Sequence, residues 1–104
     1  MGMLSMFDGT KYVTPGIQRE VPVFLQNILW YLIETMEVPE KHPLQVFQFE
    51  SIIEDGKRKQ QIVHSQEQPD YRKHYAISTR SIVIGKVYVI DDATHCTMLL
   101  ADEY

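Results

Sequence analysis

The chain is poor in the residues on which many small-protein chemistries depend. It has one cysteine, Cys96, in 104 residues. No internal disulfide can form, which excludes a disulfide-stapled secreted scaffold and fits a reducing compartment. The longest apolar run is ILWYLI, residues 28–33, far short of the ~20 residues that cross a bilayer as a helix. The opening MGMLSMFDGTK has neither a basic n-region nor an apolar h-region, so no secretory leader is expected. Basic residues are outnumbered, 10 Lys/Arg against 14 Asp/Glu, for a net charge of −4. An acidic total disfavours general nucleic-acid binding, which needs a net basic face. GxGxxG, GxxxxGK[ST], GxSxG, HExxH and CxxC are all missing, so a standard nucleotide enzyme or hydrolase is not expected, and no cofactor is implied. These absences together predict a cytoplasmic protein with no membrane segment.

What is present describes an ordinary globular domain: 44% apolar and 23% charged residues, with no internal repeat or linker. The length fits a single domain over residues 1–104, with 1–10 expected to be poorly ordered. KYVT (11–14) reads as a short strand broken by Pro15–Gly16. From Pro22 to about Met36, Leu25, Ile28, Leu29, Leu32 and Met36 recur at helical spacing. LQVFQFESI (44–52) and KQQIVHS (59–65) flank Asp55–Gly56 and predict a hairpin. KHYAIST (73–79), SIVIGKVYVI (81–90) and HCTMLLA (95–101) read as further strands, with Gly85 a bulge or close-approach point and Asp91–Thr94 a turn. One helix followed by runs of strands predicts an α+β fold: one long N-terminal helix packed on a mainly antiparallel sheet of five or six strands.

A few side chains merit a chemical reading. On the helical wheel Trp30 falls in the polar arc, between Gln26 and Glu34. It is either covered by Met3–Phe7 or a neighbouring strand, or it meets a protein partner, since Trp is favoured at interface hot spots. His64, followed by Ser65, Gln66, Glu67 and Gln68, leads to Pro69 and Tyr71. If residues 59–65 and 73–79 pair with Pro69 at the centre, His64 faces His74 across ~5 Å. The two histidines are then close enough for shared metal binding or a pH-sensitive repulsion, but the same register sets Arg58 against Arg80. His95 and Cys96, if on a strand, point to opposite faces and cannot ligate one ion together. Asp91 and Asp92 read as a turn opener. Lys57, Arg58, Lys59, Arg72, Lys73 and Arg80 interleave with Tyr71 and Tyr75, the makings of a local nucleic-acid stripe. Acids nearby and the net charge argue against it. No catalytic residue and no metal ligand set is assigned.

Several phrases together carry a resemblance: KYVTPGI (11–17), LQNILWYLIE (25–34), LQVFQFE (44–50), QIVHSQEQPDY (61–71), VYVIDD (87–92) and TMLLADEY (97–104). From Lys11 to Tyr104 the chain resembles the small bacterial family known as domain of unknown function 960, found in Gram-positive bacteria. The resemblance implies a small stand-alone α+β cytoplasmic protein, and it brings no reaction, cofactor or catalytic residue to carry over. The reading is therefore a non-enzymatic interaction module that binds a protein partner or itself. Its surface would include Trp30, His64, Gln66, Glu67, Tyr71 and His74. The alternatives are a weak nucleic-acid binder and a small-ligand binder or enzyme centred on His64, Glu67 and His74.

Overall fold

A computed structural model of the chain describes residues 6–104. Alternation of apolar and polar side chains builds most of it. In β2 (Leu44–Glu54) Gln45, Phe47 and Phe49 are buried and their neighbours are not, as expected of a strand with one face on a core. Asp55 and Gly56 join β2 to β3 (Lys57–Gln66) with φ of 53° and 77°. Both positive values define the tight hairpin turn that favours Asp-Gly. β3 returns antiparallel, with Phe49 opposite Ile62 and Phe47 opposite His64. β4 (Tyr71–Ile77), β5 (Gly85–Asp91) and β6 (His95–Leu100) extend the sheet. β1 (Thr10–Val13) adds to β6 as its one parallel pair. The strand order is β1-β6-β5-β2-β3-β4.

Two helices cover one face. α1 (Pro15–Glu20) begins at Thr14, whose hydroxyl accepts from the Ile17 amide, with Pro15 in the first turn. Both are standard helix-start devices. α2 (Val23–Thr35) follows after Val21 and Pro22. Ile17, Val21, Leu25, Leu29, Leu32 and Ile33 pack onto Phe47, Phe49, Ile62, Val87, Val89, Cys96 and Met98. Among the described residues the opposite sheet face carries no helix or further strand; at its β5 part the Tyr104 ring meets Tyr88 edge-on at 5.4 Å.

The sheet is mainly antiparallel and six-stranded, as anticipated, but the long helix is not N-terminal: β1 and α1 precede it. Pro15–Gly16 starts a helix where only a break was expected. Residues 81–84, expected in a strand, lie outside β5. There Gln60, fully buried, accepts from the Val83 amide and donates to its carbonyl, replacing ladder bonds with side-chain bonds. Gly85 takes a φ of 141° where β5 begins, a conformation that L side chains avoid. The expectation of poor order falls partly on residues 1–5, outside the described residues. Phe7, by contrast, is buried, and its amide donates to the Asp91 carboxylate.

Candidate functional site

The register decides where each candidate side chain points. β4 pairs with β3 so that His64 faces Lys73, and His74 faces Val63. This is one residue away from the pairing that would join the histidines. A one-residue shift reverses faces: His64 lies in the core under the helices and His74 is exposed on the open face. Glu67 is exposed in the β3–β4 turn. The structure therefore does not assemble a His64, Glu67 and His74 site. β4 ends at Ile77, so Arg58 and Arg80 do not pair either. His95 and Cys96 do take opposite faces. Cys96 is buried, with its thiol pushed up by burial, and the His95 ring meets Tyr12 edge-on at 5.4 Å. Among the described residues no group of three His, Cys, Asp or Glu side chains is placed to hold a metal ion.

His64 instead anchors a buried amide network. Its ring stacks on Phe47 at 4.3 Å and meets Tyr71 edge-on at 5.2 Å. Burial holds its pKa down at about 4, and raises that of Tyr71 to about 12 with help from the Tyr75 hydroxyl. The Gln45 amide nitrogen donates to His42 O at 2.8 Å and Gln66 Oε1 at 2.7 Å. Gln45 Oε1 therefore points to His64 Nε2, 2.7 Å away. An amide oxygen only accepts, so the neutral ring carries its proton on Nε2. His64 Nδ1 is then a buried acceptor with no partner among the described residues. Gln66 completes the network: Oε1 accepts from the His42 amide, while Nε2 donates to Glu40 O and Pro69 O. Two connectors, 36–43 and 67–70, are thus tied to the end of the sheet.

Above that network, at the same end of the sheet, the connectors wall a concavity of about 1350 Å³ that opens to solvent. Its floor is the open face: Tyr88, Val46, Ser65 and Arg72 form one row across β5, β2, β3 and β4, and Lys86 stands beside Gln48 in the next. Glu40, Glu67 and Asp70 sit on the walls. Arg72 and Lys86 are exposed, and neither is in an ion pair among the described residues.

Of the surface named from sequence, Gln66, Glu67 and Tyr71 line this concavity; Trp30, His64 and His74 do not. Trp30 is half-buried. It lines a hollow of about 50 Å³ with Met6 and Phe7, and Lys11 Nζ lies 5.7 Å from its ring centre. Cover by Met3–Ser5 lies outside the described residues. The exposed rings of α2 are Phe24 and Tyr31. The tyrosine-basic stripe is divided: Tyr71, Lys73 and Tyr75 share the helix-side face, Arg72 the open face, and Lys57–Lys59 stand at the hairpin tip. Gln45 was missed from sequence, and Gln66 was named for a surface and not for a buried network. The signal was there, since they stand in phase with Phe47, Phe49 and Ile62 at core positions.

These features define a two-layer α+β protein with helices on one sheet face and an open concavity on the other. The family model for "Staphylococcal protein of unknown function (DUF960)" matches residues 10–103, and the chain belongs to that family. The crystal structure of a protein of unknown function from Enterococcus faecalis has a similar fold. Its TM-score is 0.79 at 22% identity, over 98% of each chain. No curated protein matches the chain. No helix among the described residues is long and apolar enough to cross a membrane.

Proposed function

We propose that this chain is a non-enzymatic protein-interaction module that receives a partner protein on its uncovered sheet face. The observation that carries the reading is the sheet itself: six strands with both helices on one side and a walled concavity on the other. Concavities with a few convergent polar groups are where binding sites concentrate, small-ligand sites above all; the breadth of the uncovered sheet face is what favours a protein here. The network of Gln45, Gln66 and His64 holds both walls from beneath, so the surface is pre-organised and little ordering entropy is lost on binding. The enzyme alternative loses its centre, because His64 and His74 lie on opposite faces.

Photo-crosslinking in living cells of the native bacterium tests this. A photoreactive residue at Ser65, on the floor, is expected to give one protein adduct. The same residue at Gln18, exposed on α1, is expected to give none. Adducts of equal yield from both positions, no adduct, or an adduct with a second copy of the chain would overturn the proposal.

A further inference from the structure

From the spacing of the two unpaired cations on the floor, we infer that the concavity takes an extended acidic peptide. The segment would carry carboxylates at positions i and i+4 and an apolar residue at i+2. This rests on the reading of the open face as a protein-binding surface and specifies the chemistry of what binds there.

Lys86 is on β5 and Arg72 on β4, with β2 and β3 between them. Three strand spacings, about 14 Å across the sheet, and one row, about 7 Å along it, set their Cα atoms roughly 16 Å apart. An extended peptide rises ~3.3 Å per residue, and residues i, i+2 and i+4 share a face. Its carboxylates at i and i+4 stand ~13 Å apart, within reach of two long basic side chains. Between the cations the floor offers Val46, half-buried, with the Tyr88 ring beside it. That is where the residue at i+2 would fall. An Arg guanidinium grips a carboxylate with two parallel hydrogen bonds, and Lys acts as a point charge.

The walls argue for a peptide over a nucleic acid. Glu40, Glu67 and Asp70 line them against a single cation, Lys41. A phosphate backbone bears a charge at every residue and would be repelled there. A peptide needs only two acids, and its flanking positions are free to be neutral or basic. With Lys41 the lining carries three Lys/Arg against its three acids, Glu40, Glu67 and Asp70, and the two cations of the floor stand apart from the acids of the walls.

The test is fluorescence anisotropy at low salt with the full chain. The probe is a labelled nine-residue peptide with glutamate at its third and seventh positions, leucine at its fifth and serine elsewhere. Saturable binding is expected, weakened about tenfold or more by R72E/K86E and several-fold by R72Q or K86Q, as for partly exposed charge pairs. Both residues are exposed, and circular dichroism is expected to show the variants folded. A peptide with adjacent glutamates is expected to bind more weakly. Equal binding of that peptide, no loss in the variants, or tighter variant-sensitive binding of a uridine oligonucleotide overturns the inference. The wider reading is tested separately. If Ser65 still crosslinks to a partner in the R72E/K86E chain, the open face stands as a binding surface and the acidic ligand does not.

Discussion

His64 is a histidine that the fold keeps neutral. It is fully buried, its Nε2–H is committed to Gln45, and burial holds its pKa at about 4 against an ordinary 6.5. Between those values the unfolded chain binds the proton and the folded chain does not. Stability is therefore retained above pH 6.5 and lost as the pH falls toward 4. The full loss is about 3 kcal/mol. Urea unfolding from pH 7.5 to 4 is expected to show this slope in the native chain and not in H64L. Its ring protons should titrate near pH 4 by NMR. A midpoint near 6.5 would contradict the buried, neutral ring. Gln66 makes a related case. Its side chain makes four hydrogen bonds, to Gln45, the His42 amide, Glu40 O and Pro69 O. Q66A leaves buried partners unsatisfied, at ~1–3 kcal/mol each where water cannot reach them. The His42 amide should exchange much faster in Q66A, with little change at Phe47. Equal acceleration at both would mean that Gln66 supports the whole sheet and not the connectors.

At the scale of elements, the short helix α1 depends on a residue far along the chain. Glu103, in the 3₁₀ turn Ala101–Glu103, accepts from the Thr14 hydroxyl at 2.6 Å, the Leu100 amide at 2.8 Å and the Gly16 amide at 3.1 Å. The Thr14 hydroxyl is the main reason its carboxyl lies below the usual range. A Cβ on Gly16 would come within 2.5 Å of that carboxylate. G16A and E103A are both expected to lower the melting temperature, and G16A less in the E103A background than in the native chain. Simple additivity in this double-mutant cycle would show that the two do not act through the same contact. The local signal, Thr14 as cap before Pro15, was present but read as a break; what the sequence did not show is the partner of the Gly16 amide, 87 residues away. The rest of the fold was more legible. β2, β3 and β6 follow from period-2 alternation and the Asp-Gly turn, and α2 from its leucine spacing. The wheel failed at its edges. Its apolar arc also holds Phe24 and Tyr31, but that arc is wider than the stripe the sheet can cover, and both rings are left exposed. Gln26, on the polar arc, is buried because its amide donates to Val21 O at 2.8 Å.

At the scale of the molecule, strand order and one unit of register separate what sequence can and cannot give. The alternation in β3 and β4 fixes which residues share a face within each strand. It does not fix how the strands align, and the turn 67–70 shifted that alignment by one, parting His64 from His74. The concavity was not legible either, because it joins Lys86 to Arg72 and two distant connectors. The order β1-β6-β5-β2-β3-β4 places β2 and β3 inside the sheet, yet the two strands outrun their neighbours. β5 pairs with β2 only from Leu44 to Phe49, and β4 with β3 only from Gln60 to Gln66. Beyond those points Ile52–Lys59 is a two-stranded ribbon, with Ile53 67% exposed, in a molecule 51 Å long and 21 Å thick. A lone two-stranded ribbon is marginal in water, whereas three or more strands on a packed face are stable. One pair of strands should therefore show two levels of hydrogen-exchange protection. Hydrogen-bonded amides of Val46–Phe49 and Ile62–His64 are expected to exchange only on global unfolding. Those of Ile52–Lys59 should exchange through local opening that costs far less and depends little on denaturant. L29A removes a buried contact of the helix layer at ~2–5 kcal/mol. It should lower protection in the first group by that amount and leave the ribbon almost unchanged. If both groups fall together in L29A, the hairpin unfolds as one unit with the core.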